Sequence, residues 1–334
     1  MNRNYNYILF TCLIFLTLLL FMIDLAVGSV EIPLSDVWNS LFGGECPEVT
    51  RQIVTTIRLN KAIVAILAGS ALSVSGLQMQ TLFRNPLAGP YVLGISSGAG
   101  LGVAFFILGM PLLGLSSVSV SIGIIGSAWI GSMLVLFLIG IAARRVKDIM
   151  VILILGMMFS SGISAIVQIL QYMSHQDALK SFVIWTMGSL GEVTRPQLII
   201  MTIAVVAGLI LAVFTAKPLN QLLLGEEYAI TMGLNVKNSR SLLFISTTLL
   251  AGTVTAFCGP IGFIGLAMPH VTRLLFKNSD HRILVPANIL TGASVLVFCD
   301  IVSKMFVLPI NAITALLGIP VIIFIVLRVR SFAI

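Results

Sequence analysis

The feature that most constrains this chain is a succession of long apolar runs. Ten stretches approach the about 20 mostly apolar residues that a helix needs to cross a bilayer. They cover about Tyr7–Val27, Lys61–Phe83, Tyr91–Leu108, Val118–Ile141 and Ile149–Tyr172 in the first half. Gln197–Phe214, Leu242–Gly259, Ile261–Phe276, Leu284–Val307 and Ala312–Val329 follow in the second. With 31 formal charges on 334 residues and 58% hydrophobic residues, the chain cannot cover its surface with polar groups. Lipid must solvate much of it, which excludes a soluble enzyme, a disordered chain and a disulfide-stapled scaffold. The fold class expected is all-α and polytopic, a single membrane domain over residues 1–334 with about ten transmembrane helices.

Two runs carry a second reading. Arg3, the apolar run Ile8–Ile23 and Ala26-Val27-Gly28 also resemble a signal peptide, although the many later spans favour a retained helix. The eighth run is interrupted by Pro269, His270 and Arg273. A short or broken helix buried inside protein suits it.

Alternating the spans from a cytoplasmic N-terminus places 13 of the 19 Lys and Arg residues inside, Lys147, Arg240, Arg273 and Arg282 among them, and 6 outside. That bias is the positive-inside pattern, with both termini cytoplasmic. It explains the basic balance without nucleic acid, which would need one basic face. The four cysteines are scattered and form no metal-binding spacing.

An internal echo links the halves. Leu67-Ala68-Gly69 and Gly76 recur 183 residues later as Leu250-Ala251-Gly252 and Gly259, and Pro86 maps onto Pro269. Five spans separate the copies, so an inverted repeat of about 58–173 and 240–330 is expected. Small residues at four-residue spacing (Gly94, Gly98, Gly102; Gly123, Ser127, Gly131) point to close helix crossings.

Catalytic motifs are poorly supported. No lysine follows a glycine, so a phosphate-binding GxxxxGK[ST] loop is missing. Gly94-Ile95-Ser96-Ser97-Gly98 fits GxSxG but opens a membrane span, and an intramembrane serine protease would need a buried base near Ser96 or Ser97. An ion-coupled transporter would keep charges deep in the membrane. Here Asp24, Asp300 and Lys304 lie near outer span ends, which favours a pathway driven by another subunit.

The block Gly76-Leu77-Gln78-Met79-Gln80-Thr81-Leu82-Phe83-Arg84-Asn85-Pro86-Leu87-Ala88 resembles the signature of the iron-chelate and vitamin B12 uptake permeases, the membrane subunits of type II ABC importers. Gly94–Gly100, Gly259–His270, Asp280–Arg282, Gly292–Ser294, Asp300–Val302, Leu308–Ile310 and Thr314–Pro320 continue the resemblance in order. It implies a homodimer around one pathway for an iron–siderophore, haem or cobalamin-type chelate in the inner membrane. Two cytoplasmic ATPase subunits would hold the ATP and Mg, this chain would carry no cofactor and no catalytic residue, and a periplasmic or lipid-anchored binding protein would deliver the ligand. By resemblance, Gly225, Glu226, Glu227, Ala229 and Gly233 form the segment that couples to the ATPase. Arg58, Lys61 and Lys304 dock the binding protein. Gly76, Gln80, Asn85, Pro86, Ile149 and Met150 flank the pathway or gate. The resemblance also implies an acid where Val307 stands and often a glycine where Asn311 stands.

Overall fold

The computed structural model describes residues 3–28, 30–110, 120–146 and 148–330. Lys147 and the Val118–Ser119 start of the fourth run lie outside them. Thirteen helices are assigned among the described residues. They are α1 (Arg3–Ala26), α2 (Leu34–Phe42), α3 (Glu48–Leu82), α4 (Ile95–Gly109), α5 (Val120–Arg145), α6 (Ile149–Met173) and α7 (Gln176–Thr186). The rest are α8 (Arg195–Leu223), α9 (Glu226–Thr231), α10 (Val236–Cys258), α11 (Ile264–Phe276), α12 (His281–Phe306) and α13 (Ile310–Arg330).

Seven of these are long and apolar enough to span a membrane, and α4, α11 and α13 contain shorter apolar stretches. The eighth run becomes α11, whose 13 residues reach only about 20 Å at 1.5 Å per residue. It survives because it is enclosed by α3, α12 and α13 rather than by lipid.

The sequence reading missed α2 and α7, which are too short and too amphipathic to stand out as spans. Val37 on α2 is buried with Leu25, Ile32, Val54 and Ala62, so α2 seats across the C-terminal end of α1 and the N-terminal end of α3. α3 begins earlier than expected, with a π-helical stretch at Ile53–Arg58.

α3 is the hub, packing against α12, α11 and α8. Small residues set the spacing. A Cβ on Gly76 would lie 1.6 Å from the Gly265 carbonyl oxygen, and one on Gly69 2.2 Å from that of Gly292. The two small-residue rows read from the sequence meet each other. Gly98 faces Gly131 and Gly102 faces Ser127, so α4 crosses α5 almost backbone to backbone. Polar side chains tie the interior together. Gln78 donates to Thr215 and Ser246 and accepts from Thr247, joining α3 to α8 and α10.

The echoed prolines are not equivalent in place: Pro86 lies in the turn after α3, whereas Pro269 lies inside α11. The two motif blocks nevertheless touch. Gly76 abuts Gly265, Gln80 Nε2 donates to the Leu266 carbonyl, and His270 Nε2 lies 2.7 Å from the Pro86 carbonyl oxygen.

Candidate functional site

Three places collect the residues singled out by sequence. The first is the C-terminal end of α3. Gly76 and Gln80 are buried between α3 and α11, with Gln80 Oε1 accepting from Arg273 at 2.7 Å. Asn85 and Pro86 form the turn beyond, where the Asn85 side chain accepts from the Leu87 N–H at 2.9 Å. Asn220 Oδ1 accepts from both the backbone N–H and the Nδ1–H of His281, which leaves His281 Nε2 to accept from Thr81. α3, α8 and α12 are thus joined at one level. At the start of α6, Asp148 caps the helix by accepting from the Met150 N–H. Ile149 packs on the apolar cluster of Phe83, Ala88 and Leu93, and Met150 is exposed.

The second place is α9. Gly225 enters it with φ 119° and Gly233 leaves it with φ 82°, values that disfavour any residue with a Cβ. Gly225 also abuts the Arg84 guanidinium, and Arg84 donates to the Leu222 carbonyl. Ala229 is fully buried and fixes the underside. Glu226 pairs with Arg240 at 2.6 Å. Glu227, Tyr228, Ile230 and Met232 face outward. The result is a short, rigidly mounted knob with an exposed apolar and acidic surface.

The third place is the N-terminal end of α3, where the cations expected to dock a partner have internal partners. The Arg58 guanidinium donates to the carbonyls of Leu25, Ala26 and Val30 and is buried. Lys304 Nζ lies 2.8 Å from Asp24 Oδ1 and 3.0 Å from Asp300 Oδ2, and Lys61 Nζ lies 2.9 Å from Asp300 Oδ1. Asp300 is met by charge rather than by aligned hydrogen bonds. Of the three cations, Lys61 keeps the most exposed side chain, at 22%. The signal that could have revealed this was in the sequence: Asp300 and Lys304 are four residues apart on one helix face, and Asp24 is an acid at a span end.

Sequence reasoning also missed the outward face of α6. The helix is 17% buried over its membrane window, yet Ser161, Gly162, Ser164 and Gln168 are exposed among Met157, Met158 and Ile169. Asn311, standing where glycine is often expected, accepts from the Gly262 N–H at 2.9 Å. Neither Ser96 nor Ser97 is hydrogen-bonded to a histidine among the described residues, and His270 and His281 have the partners named above. No group of three or more His, Cys, Asp or Glu side chains that could hold a metal occurs among the described residues.

Comparison with known proteins identifies the family of the chain. The chain is 36% identical over 324 residues to the hemin transport system permease protein HmuU of Yersinia pestis, covering 94% of this chain and 95% of that one. It is 37% identical over 326 residues to the vitamin B12 import system permease protein BtuC of Klebsiella pneumoniae, covering 96% and 93%. A solved structure described as an inward-facing conformation of an ABC transporter assigned to the metal-chelate type superposes with a TM-score of 0.84 at 28% identity, over 96% of this chain and 99% of that one. The model of the FecCD transport family matches residues 16–328, and the chain belongs to that family as a multi-pass membrane permease rather than an enzyme.

Proposed function

We propose that this chain is the permease subunit of an ATP-driven importer that moves a bulky metal chelate of the haem, cobalamin or iron–siderophore type inward across the cytoplasmic membrane. The observation that carries the reading is the end-to-end similarity to haem and vitamin B12 permeases. The geometry supplies a mechanism. In the orientation with both termini inside, α9 faces the cytoplasm and offers its exposed surface to an ATPase subunit, which binds the ATP and Mg. Closure of an ATPase pair displaces α9. Gly225 passes that displacement to α8, and the Arg84 contact passes it to α3 and to the Asn85–Pro86 turn beside the gate. The α6 face lines the pathway between two copies of the chain. A glutamine amide that makes no hydrogen bond among the described residues, as at Gln168, is costly in hydrocarbon and comfortable beside water.

At the outer end, Lys61 is the cation placed to meet an acidic binding protein, while Arg58 and Lys304 hold the surrounding structure. The test is uptake of labelled haem, cobalamin and siderophore in a deletion strain, with and without the cognate ATPase. Uptake of at least one ligand that needs the ATPase supports the reading. Uptake that survives ATPase loss but collapses with the ion gradient would show a secondary transporter. Loss of function on Ser96→Ala would revive the protease.

A further inference from the structure

The inner ends of α3, α8, α11 and α12 enclose a cavity of about 350 Å³. Its wall carries two guanidiniums, Arg84 from the end of α3 and Arg273 from α11. Neither has a carboxylate within ion-pair distance among the described residues. Arg273 donates to the neutral Gln80 side chain, and Arg84 makes only long contacts, 3.3 and 3.4 Å, to the Leu222 carbonyl. The acids adjoining the cavity in sequence are engaged elsewhere. Asp280 accepts from Asn220 and from the Arg282 N–H, and Glu226 pairs with Arg240. Half-buried Arg273 and exposed Arg84 therefore share one cavity with no carboxylate partner, and the field of two adjacent like charges on one wall favours an anion there.

The rim decides which anion. Leu223 and Leu224 line the same cavity and are 42% and 62% exposed, so a cationic floor meets an apolar edge. That pattern fits an amphiphile with a phosphate head and an acyl tail. Guanidinium forks match phosphate oxygens bidentately, and basic pockets between helices on the cytoplasmic side suit anionic headgroups. We propose that this cavity is a site for the headgroup of an anionic phospholipid of the inner leaflet, held by Arg84 and Arg273 beside the α8–α9 junction. The reading uses the orientation proposed above only to name the leaflet, and its test does not depend on transport.

The full-length chain, delipidated and then returned to nanodiscs of phosphatidylcholine with or without phosphatidylglycerol, is examined by native mass spectrometry, with inorganic phosphate as a competitor. Phosphatidylglycerol should be retained in preference to phosphatidylcholine. Arg84→Gln and Arg273→Gln should each weaken its retention about fivefold, the loss of one surface cation. Arg273→Lys, which keeps the charge, should lose less and also shows that the site tolerates replacement without unfolding. Equal retention of both lipids, or unchanged retention in both Gln variants of normal elution profile, overturns the site. Capture of inorganic phosphate without headgroup preference assigns the cavity to a soluble anion and overturns the lipid assignment.

Discussion

Single residues decide how the ion-pair cluster at the N-terminal end of α3 is read. Sequence offered Lys304 as a docking cation, yet its ammonium bridges two carboxylates that are 0% exposed. Removing one partner from such a set strands buried charge and costs about 3–5 kcal/mol. Lys304→Ala should therefore lower the thermal midpoint of the purified protein, and Asp24→Asn in the same chain should recover part of the loss. A Lys304→Ala protein as stable as the parent but unable to capture a binding protein would return the residue to docking. Asp280 makes a second case at the start of α12. It caps α12 by accepting from the Arg282 N–H. Its partial burial favours the neutral acid, but hydrogen bonds from the Arg282 N–H and Asn220, with the nearby charges of Arg282 and His281, outweigh this and hold the pKa below the usual value. A lowered folded pKa stabilises the fold above the unfolded carboxylate range, and that stabilisation is lost as pH falls through the lowered value. Asp280→Ala should cost about 1 kcal/mol near neutrality. In thermal melts the gap from the parent should close as pH falls toward about 3; a gap independent of pH would remove the carboxylate from the account.

At the scale of elements, α9 is the part on which the proposed coupling to an ATPase rests. Its mounting needs two left-handed glycines, a buried alanine and the Glu226–Arg240 pair. Gly233→Val places a β-branched residue at φ 82°, a conformation costing of order 1–3 kcal/mol. Glu226→Ala frees Arg240 from the 2.6 Å pair. Both variants should insert and assemble, hydrolyse ATP with the ATPase bound, and show uptake reduced severalfold; normal coupled uptake in both would sink the assignment. Sequence periodicity placed the long spans and the α4–α5 crossing well, because lipid demands continuous apolar runs and close crossings demand small residues. It was blind to α2 and α7, whose nine and eleven residues carry mixed faces without a length signal. Of the partners of Arg58, Lys61 and Lys304, only the Asp300–Lys304 pair has a local pattern; the Leu25, Ala26 and Val30 carbonyls and the Asp24 carboxylate lie on segments distant in sequence, and such pairing leaves no signal.

For the whole molecule, the contrast between helices matters most. The apolar stretch of α3 is 83% buried and that of α6 only 17%, so α3 is the interior of one chain while α6, like α1 at 17%, turns most of its surface outward. Lipid alone would select a uniformly apolar face, as α8 shows with Ile199, Ile200 and Ile203 exposed. α6 instead exposes Ser161, Ser164 and Gln168 in line along the helix. The proposed pathway wall between two copies would account for the difference, and labelling separates it from a lipid face. In a background with the four native cysteines replaced, Gln168→Cys should react with a membrane-impermeant maleimide added outside. Ile199→Cys, lying at a similar distance from the outer end of its helix, should not. Assembly with the binding protein should slow the first reaction by capping the pathway mouth. Equal protection of both positions would mean that α6 faces lipid and that the pathway runs elsewhere.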